Sequence, residues 1–259
     1  MWGKYALVLA LALPMEAVFA VDVQPGEVVT ATVKYVKDGD TFVVNEGQDV
    51  RFVDINTPEG PHDGAPAEPF AEAARARVKA LATGRTVKLK IADKAYDRYG
   101  RWLADIYLPD GTWLNGLLVR EGLAHVYTFA DNTMHPDQLL KFEQEARAAN
   151  RGIWSHPRWR VKDAAACCAP EFIGIFQVVQ GKVLSTGQGK KAMYFNFGTD
   201  YHTDFTAVIE KKNLKNFKKA GIDPLAVYAG KTLRLHGFTD PVEGVEMRLT
   251  HPAQIEVVN

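Results

Sequence analysis

"VVTATVKYVKDGDTFVVNEGQDVRFVDI", residues 28–55, decides the fold. Its three β-rich runs are separated by Asp38-Gly39 and by Asn45-Glu46-Gly47, and glycine-bearing turns between such runs mark hairpins. Downstream, the Pro- and Gly-rich loop "TPEGPHDGAPAEP" (57–69) ends at a helix. Pro69 suits its first turn, Phe70, Ala74, Val78 and Leu81 share one face, and Gly84 stops it. "RTVKLKI" (85–91) alternates strictly and should bury Val87, Leu89 and Ile91. "WLADIYL" (102–108) is the next strand, Asp110-Gly111 a turn, and "WLNGLLVREG" (113–122) a short helix closed by Gly122. A last helix from Pro136 to Asn150 aligns Leu139, Phe142 and Ala146. Three strands, a helix and two strands is the order of the five-stranded OB barrel. The expected class is therefore mainly β with α: an OB-type barrel with helices, spanning about residues 28–155.

Residues 156–170, "HPRWRVKDAAACCAP", lose all periodicity and read as a linker. The order of elements then recurs over residues 171–259, which implies a second, smaller OB-like β-barrel domain. Its strand "MYFNFG" (193–198) and its lysines Lys211, Lys212, Lys215, Lys218 and Lys219 admit two readings. Aromatics beside a basic groove can bind single strands, whereas strand aromatics are commonly core and lysines on a short helix a solvated face.

Lys+Arg and Asp+Glu both total 31. A nucleic-acid binder of this charge balance needs a local basic face, because the whole chain exerts no net attraction. Residues 1–20, "MWGKYALVLALALPMEAVFA", have an early lysine, an apolar run broken by Pro14 and Glu16, and small residues at the end. This is the shape of a secretory signal peptide cut after Ala20; the run is too short for a spanning helix of about 20 residues. A periplasmic or secreted protein is expected, without stable membrane association after cleavage. The two cysteines, Cys167 and Cys168, are adjacent, which disfavours a bridge between them and leaves an inert pair or a link to another chain. The seven histidines show no zinc-ligand spacing.

Taken together, the polar residues around the barrel carry chemistry. Asp40 opens the second strand, while Asp54 and Asn56 close the third, which gathers oxygen ligands suited to a hard cation. Arg51 stands further back, Glu59 emerges on the next turn, and "DRYGR" (97–101) adds a second arginine. That set fits phosphodiester hydrolysis: a carboxylate to activate water, with guanidinium groups and a cation where charge develops on the phosphate oxygens.

"KDGDTF", "RFVDINTPE", "DRYGR", "LVREGLAHVY" and "NRGIWS", in this order and spacing, resemble the staphylococcal-nuclease (thermonuclease) family from about Val28 to Ser155. The resemblance implies a calcium-dependent enzyme with an OB-type barrel that cleaves the 5′-oxygen side of phosphodiesters in DNA and RNA, leaving 3′-phosphates. It implies Arg51 and Arg101 as charge-stabilising catalytic residues, Glu59 as the activator of water, and Arg98 and Tyr99 as contacts to a neighbouring phosphate. Asp40, Asn56 and the Thr57 carbonyl fall at the calcium position, with Asp38 in support. Where the family commonly has a second metal-binding aspartate, this chain has Asn56, whose amide can coordinate but adds no charge. Asp54, two residues earlier, would share a strand face with it and could supply the missing carboxylate. The alternative function is a non-catalytic nucleic-acid or protein-binding module on a nuclease-like barrel; a scaffold that recruits a partner through the second unit is a third.

Overall fold

The computed structural model describes residues 22–61, 64–166 and 170–258. The segment read as a signal peptide and the Cys167-Cys168 pair lie outside the described residues. Strands β1 (Val28–Val36), β2 (Thr41–Val44) and β3 (Asp49–Phe52) form the expected meander. A two-residue strand, β4 (Ile55–Asn56), and helix α1 (Ala71–Ala82) precede β5 (Thr86–Tyr96) and β6 (Trp102–Tyr107). The five long strands close a barrel in the order β1-β2-β3-β6-β5, antiparallel throughout except for the parallel β3–β6 pair. Val87, Leu89 and Ile91 of β5 point inward as their alternation requires, and Phe42 and Phe52 meet edge-to-face at 5.2 Å within the barrel. Each such fully buried ring contributes about 1.5–3 kcal/mol. Helix α2 (Leu114–Arg120), strand β7 (His125–Val126) and helix α3 (Pro136–Ala148) complete the first domain, with Leu114, Leu118 and Leu139 joining the same core.

The third strand does not run straight through to Ile55. It breaks after Phe52, and Asp54 adopts φ 61°, a left-handed conformation that L-residues adopt rarely, aspartate and asparagine more readily than most. The chain there leaves β3 and pairs as β4 with β7, Asn56 opposite His125. The same-face relation expected between Asp54 and Asn56 is therefore lost, because it holds only along an unbroken strand.

The described residues of the segment read as a linker are packed. Trp159 is buried beside Ile153, Trp154 and Phe176, and β8 (Lys162–Asp163) adds a parallel pairing to β9 (Phe176–Lys182). The second domain continues with β10 (Ser185–Gln188), β11 (Ala192–Asn196), β12 (Phe205–Glu210), α4 (Leu214–Lys219) and α5 (Pro224–Tyr228). It ends with β13 (Thr232–Asp240), β14 (Val245–Arg248) and β15 (Ile255–Val258). Its strands form one eight-stranded sheet, in which β15 branches from β13. Phe195 and Phe197 of "MYFNFG" lie in its core, and Lys211, Lys212, Lys215, Lys218 and Lys219 are exposed. Among the described residues no helix is long and apolar enough to cross a membrane.

A charged lock joins the two domains. Arg147 of α3 bonds Glu143 Oε2 at 2.5 Å and Glu256 of β15 at 3.1 Å; Arg234 reaches Glu256 at 3.2 Å and His236 Nε2 lies 3.0 Å from it. Burial alone would raise the pKa of Glu256, but the His236 hydrogen bond and the two arginines hold it down to about 2. Ligand atoms of Glu143, His236 and Glu256 lie within 4.8 Å of one another. Because Arg147 and Arg234 already match both carboxylates, the cluster serves as an ion-pair lock rather than a cation cage.

Two histidines at this interface are held neutral. His125 is enclosed by Trp154, Trp159 and Phe176, at ring-centroid distances of 5.0, 5.3 and 5.1 Å. Burial, and then the charge of His236, push its pKa down to about 3. His251, bonded to Thr128 at 2.8 Å, is lowered by burial to about 4. The unfolded chain takes up these protons near pH ~6.5, so the unfolded state gains as pH falls and stability is lost from about pH 6.5 down towards pH 4. Together they should cost about 4 kcal/mol between pH 7 and pH 5, a drop of about 8–16 °C in the thermal midpoint. His125→Phe should remove roughly half of that drop; an equally steep profile in the variant would remove His125 from the account.

Candidate active site

One open cleft of about 520 Å³ on the barrel is lined by Asp38, Asp40, Arg51, Glu59, Arg98, Tyr99 and Arg101. Residues far apart in sequence reach it because the β1–β2 turn, β3, the loop after β4 and the β5–β6 turn all open at this rim. Gly39 makes the turn possible by close approach rather than by a positive φ: a Cβ there would lie 2.6 Å from Ala74 Cβ and 2.8 Å from Thr57 Cγ2. The Asp38 carboxylate accepts the Asp40 amide at 3.0 Å and sets the direction of Asp40.

Asp40 is buried, 5% exposed, and its Oδ2 accepts the Thr57 amide at 2.9 Å. Arg51 pairs with the same carboxylate and donates through Nη2 to Asn56 Oδ1 at 3.1 Å. The residues assigned to the cation, Asp40, Asn56 and Thr57, are thus drawn together, with Arg51 spanning two of them. Burial and the neighbouring Asp40 charge push the Asp38 carboxyl up to about 7. The Asp40 carboxylate and the Asn56 amide oxygen are hard oxygen donors of the kind a cation such as calcium takes, and Arg51 holds that position against them here.

Asp54 lines the cleft but faces elsewhere. Its Oδ2 accepts the Met134 amide at 2.7 Å, and burial raises its pKa to about 7. Through Oδ2 it braces the segment before α3, and the left-handed turn removes the shared strand face with Asn56.

At the opposite side of the cleft, Asp97 organises the "DRYGR" turn. It accepts the Tyr99 and Arg101 amides at 2.8 and 3.0 Å and Arg101 Nε at 2.6 Å. Arg98 and Arg101 both lie over the exposed Tyr99 ring, 4.7 and 5.5 Å from its centre.

Glu59 is exposed at the rim, and its loop is tied down by residues the sequence did not single out. Its amide donates to Glu68 Oε2 and its carbonyl accepts the Glu68 amide, both at 2.9 Å. Glu68 Oε1 is held by Arg158 at 2.7 Å, and Trp159 Nε1 donates to the Pro69 carbonyl at 3.0 Å. Arg158 and Trp159 thus clamp the end of this loop. Glu68 stands in a Pro/Gly-rich run with no spacing signal, and Arg158 in a stretch without period.

A closed five-stranded barrel whose rim gathers acids and arginines in one cleft defines a nuclease-type domain. Residues 49–156 match the family model described as staphylococcal nuclease homologue. The chain is 34% identical over 125 residues to the thermonuclease of Staphylococcus intermedius, covering 47% of this chain and 74% of that protein. It is 31% identical over 172 residues to the micrococcal nuclease of Shigella flexneri, covering 60% and 88%. It is also 38% identical over 135 residues to the SPbeta prophage-derived endonuclease YokF of Bacillus subtilis (strain 168), which covers 50% of this chain but only 45% of YokF. The chain belongs to the staphylococcal nuclease homologue family.

Proposed function

We propose that the protein is an exported, calcium-dependent nuclease that hydrolyses phosphodiester bonds of DNA and RNA and leaves 3′-phosphates. The observation that carries this reading is the convergence of Asp40, Arg51, Glu59 and Arg101 on one cleft. In the reaction Glu59 orients a water and takes its proton as the oxygen attacks phosphorus; the P–O5′ bond breaks and the departing 5′-oxygen takes a proton from solvent water. Arg51 and Arg101 meet the negative charge that grows on the phosphate oxygens, while Arg98 and Tyr99 hold the neighbouring phosphate. Asp40, Asn56 and the Thr57 carbonyl would hold calcium, which when bound polarises a phosphate oxygen and offsets its charge. The mature chain beginning at Val21 should degrade plasmid and RNA with calcium and not with chelator. Absence of chelator-sensitive cleavage at every calcium level would favour a binding-only barrel, the reading suggested by Arg51 bridging Asp40 and Asn56.

Asn56→Asp should shift the calcium midpoint of activity to lower concentration, because a carboxylate adds charge to the donor set. Asp54→Asn should leave that midpoint where it is, since Asp54 is turned towards Met134; a weaker midpoint in Asp54→Asn would restore it as a ligand. Glu68→Ala frees the loop and should lower kcat about 10- to 100-fold with little change in KM, as displacement of a positioned catalytic group does. Arg158→Ala should act in the same direction, and full kcat in both variants would show that Glu59 is positioned without this clamp.

A further inference from the structure

The second domain also reaches the cleft. Strand β13 presents Leu233, Leu235 and Gly237 to its own core and Arg234, His236 and Phe238 to the first domain. Arg234 and His236 are taken up by the ion-pair lock. Phe238, next on the same face, emerges 44% exposed and lines the cleft shared by Arg51, Arg98 and Arg101. Phe238 packs one side against the interface and leaves the rest of its ring to the cleft.

Its surroundings are rigid. Phe238 stands edge-to-face to Tyr127 at 5.7 Å and to the buried Phe176 at 5.8 Å. Tyr127 in turn contacts Phe129, 48% exposed, at 4.6 Å. His251 fixes the intervening Thr128 at 2.8 Å, so both edges of this aromatic wall are braced by the second domain. Rings already held in place lose little entropy on binding a flat partner. Arginines along one side and half-exposed aromatic rings along the other are the equipment of a groove that tracks a phosphate backbone and stacks its bases. Paired bases in a duplex have both faces covered, which makes the natural occupant an unpaired base.

We infer that the second domain completes the substrate-binding surface, with Phe238 stacking an unpaired nucleobase of a strand whose phosphates lie on the arginines of the first domain. The inference rests on reading the cleft as a phosphodiester site, and it assigns the second domain a role through β13 rather than through its exposed lysines or "MYFNFG".

The test is equilibrium binding, in chelator, of a fluorescein-labelled oligothymidylate and of a labelled hairpin duplex to the full chain, wild type and Phe238→Leu. Leucine keeps the apolar bulk and removes the π face. Phe238→Leu should raise the Kd for the single strand about 5- to 100-fold and that for the duplex by less than about twofold, while Phe238→Trp retains single-strand binding. The thermal midpoint of Phe238→Leu should match wild type. Unchanged single-strand binding in Phe238→Leu, equal losses for strand and duplex, or a loss that tracks a fallen thermal midpoint would each overturn the assignment. No bond is broken in this assay, so its outcome is separate from that of the cleavage test: a chain that cleaves without using Phe238 fails here alone.

Discussion

Glu59→Gln should reduce kcat on a phosphodiester substrate about 10²- to 10⁴-fold, the usual contribution of a positioned general base. The substitution keeps size and hydrogen-bonding capacity and removes only the ability to accept a proton. The Glu59 backbone stays anchored, because its amide and carbonyl, not its side chain, make the exchange with Glu68. KM and the thermal midpoint should therefore hold while kcat falls. A kcat within tenfold of wild type would assign the activation of water to another group.

Arg101→Ala is the second large effect. Removing one charge-stabilising donor from a hydrolytic site costs about 10²–10³ in kcat. The turn that carries Arg101 should survive the change, since Asp97 still accepts the Tyr99 and Arg101 amides. The side-chain pair with Asp97 is partly exposed and worth at most about 1 kcal/mol to folding. Arg101→Lys should recover only part of the loss, as an ammonium restores the charge but not the planar fork. Parallel losses of stability and activity in Arg101→Ala would mean that the arginine serves the fold and not the phosphate.

The barrel was legible because its signals are local. Turns at Asp38-Gly39 and Asn45–Gly47, the alternation of Val87, Leu89 and Ile91, and the Gly84 and Gly122 stops each follow from neighbouring residues. The convergence of Asp40, Arg51, Glu59 and Arg101 could also be anticipated, because strands that pair bring their ends to one rim. What escaped the sequence depends on contacts between distant segments. The left-handed turn at Asp54 is written in no pattern: the residue is tolerated there because its carboxylate finds the amide of Met134, eighty positions away. The clamp of Glu68 by Arg158 spans ninety positions. The 156–170 stretch lacks periodicity because its described packing runs through isolated residues, Trp159 and Ala164, and not through a repeated face. Phe238 reads as an ordinary strand aromatic until the first domain is placed against β13.

The most direct test of the central claim is a crystal structure of the chain with calcium and a nucleoside 3′,5′-bisphosphate. A phosphate held between Arg51 and Arg101, with the ion on Asp40 and Asn56 and the Glu59 carboxylate within one water of phosphorus, is the result expected. A bisphosphate seated elsewhere, with Glu59 turned away from it, would contradict the account.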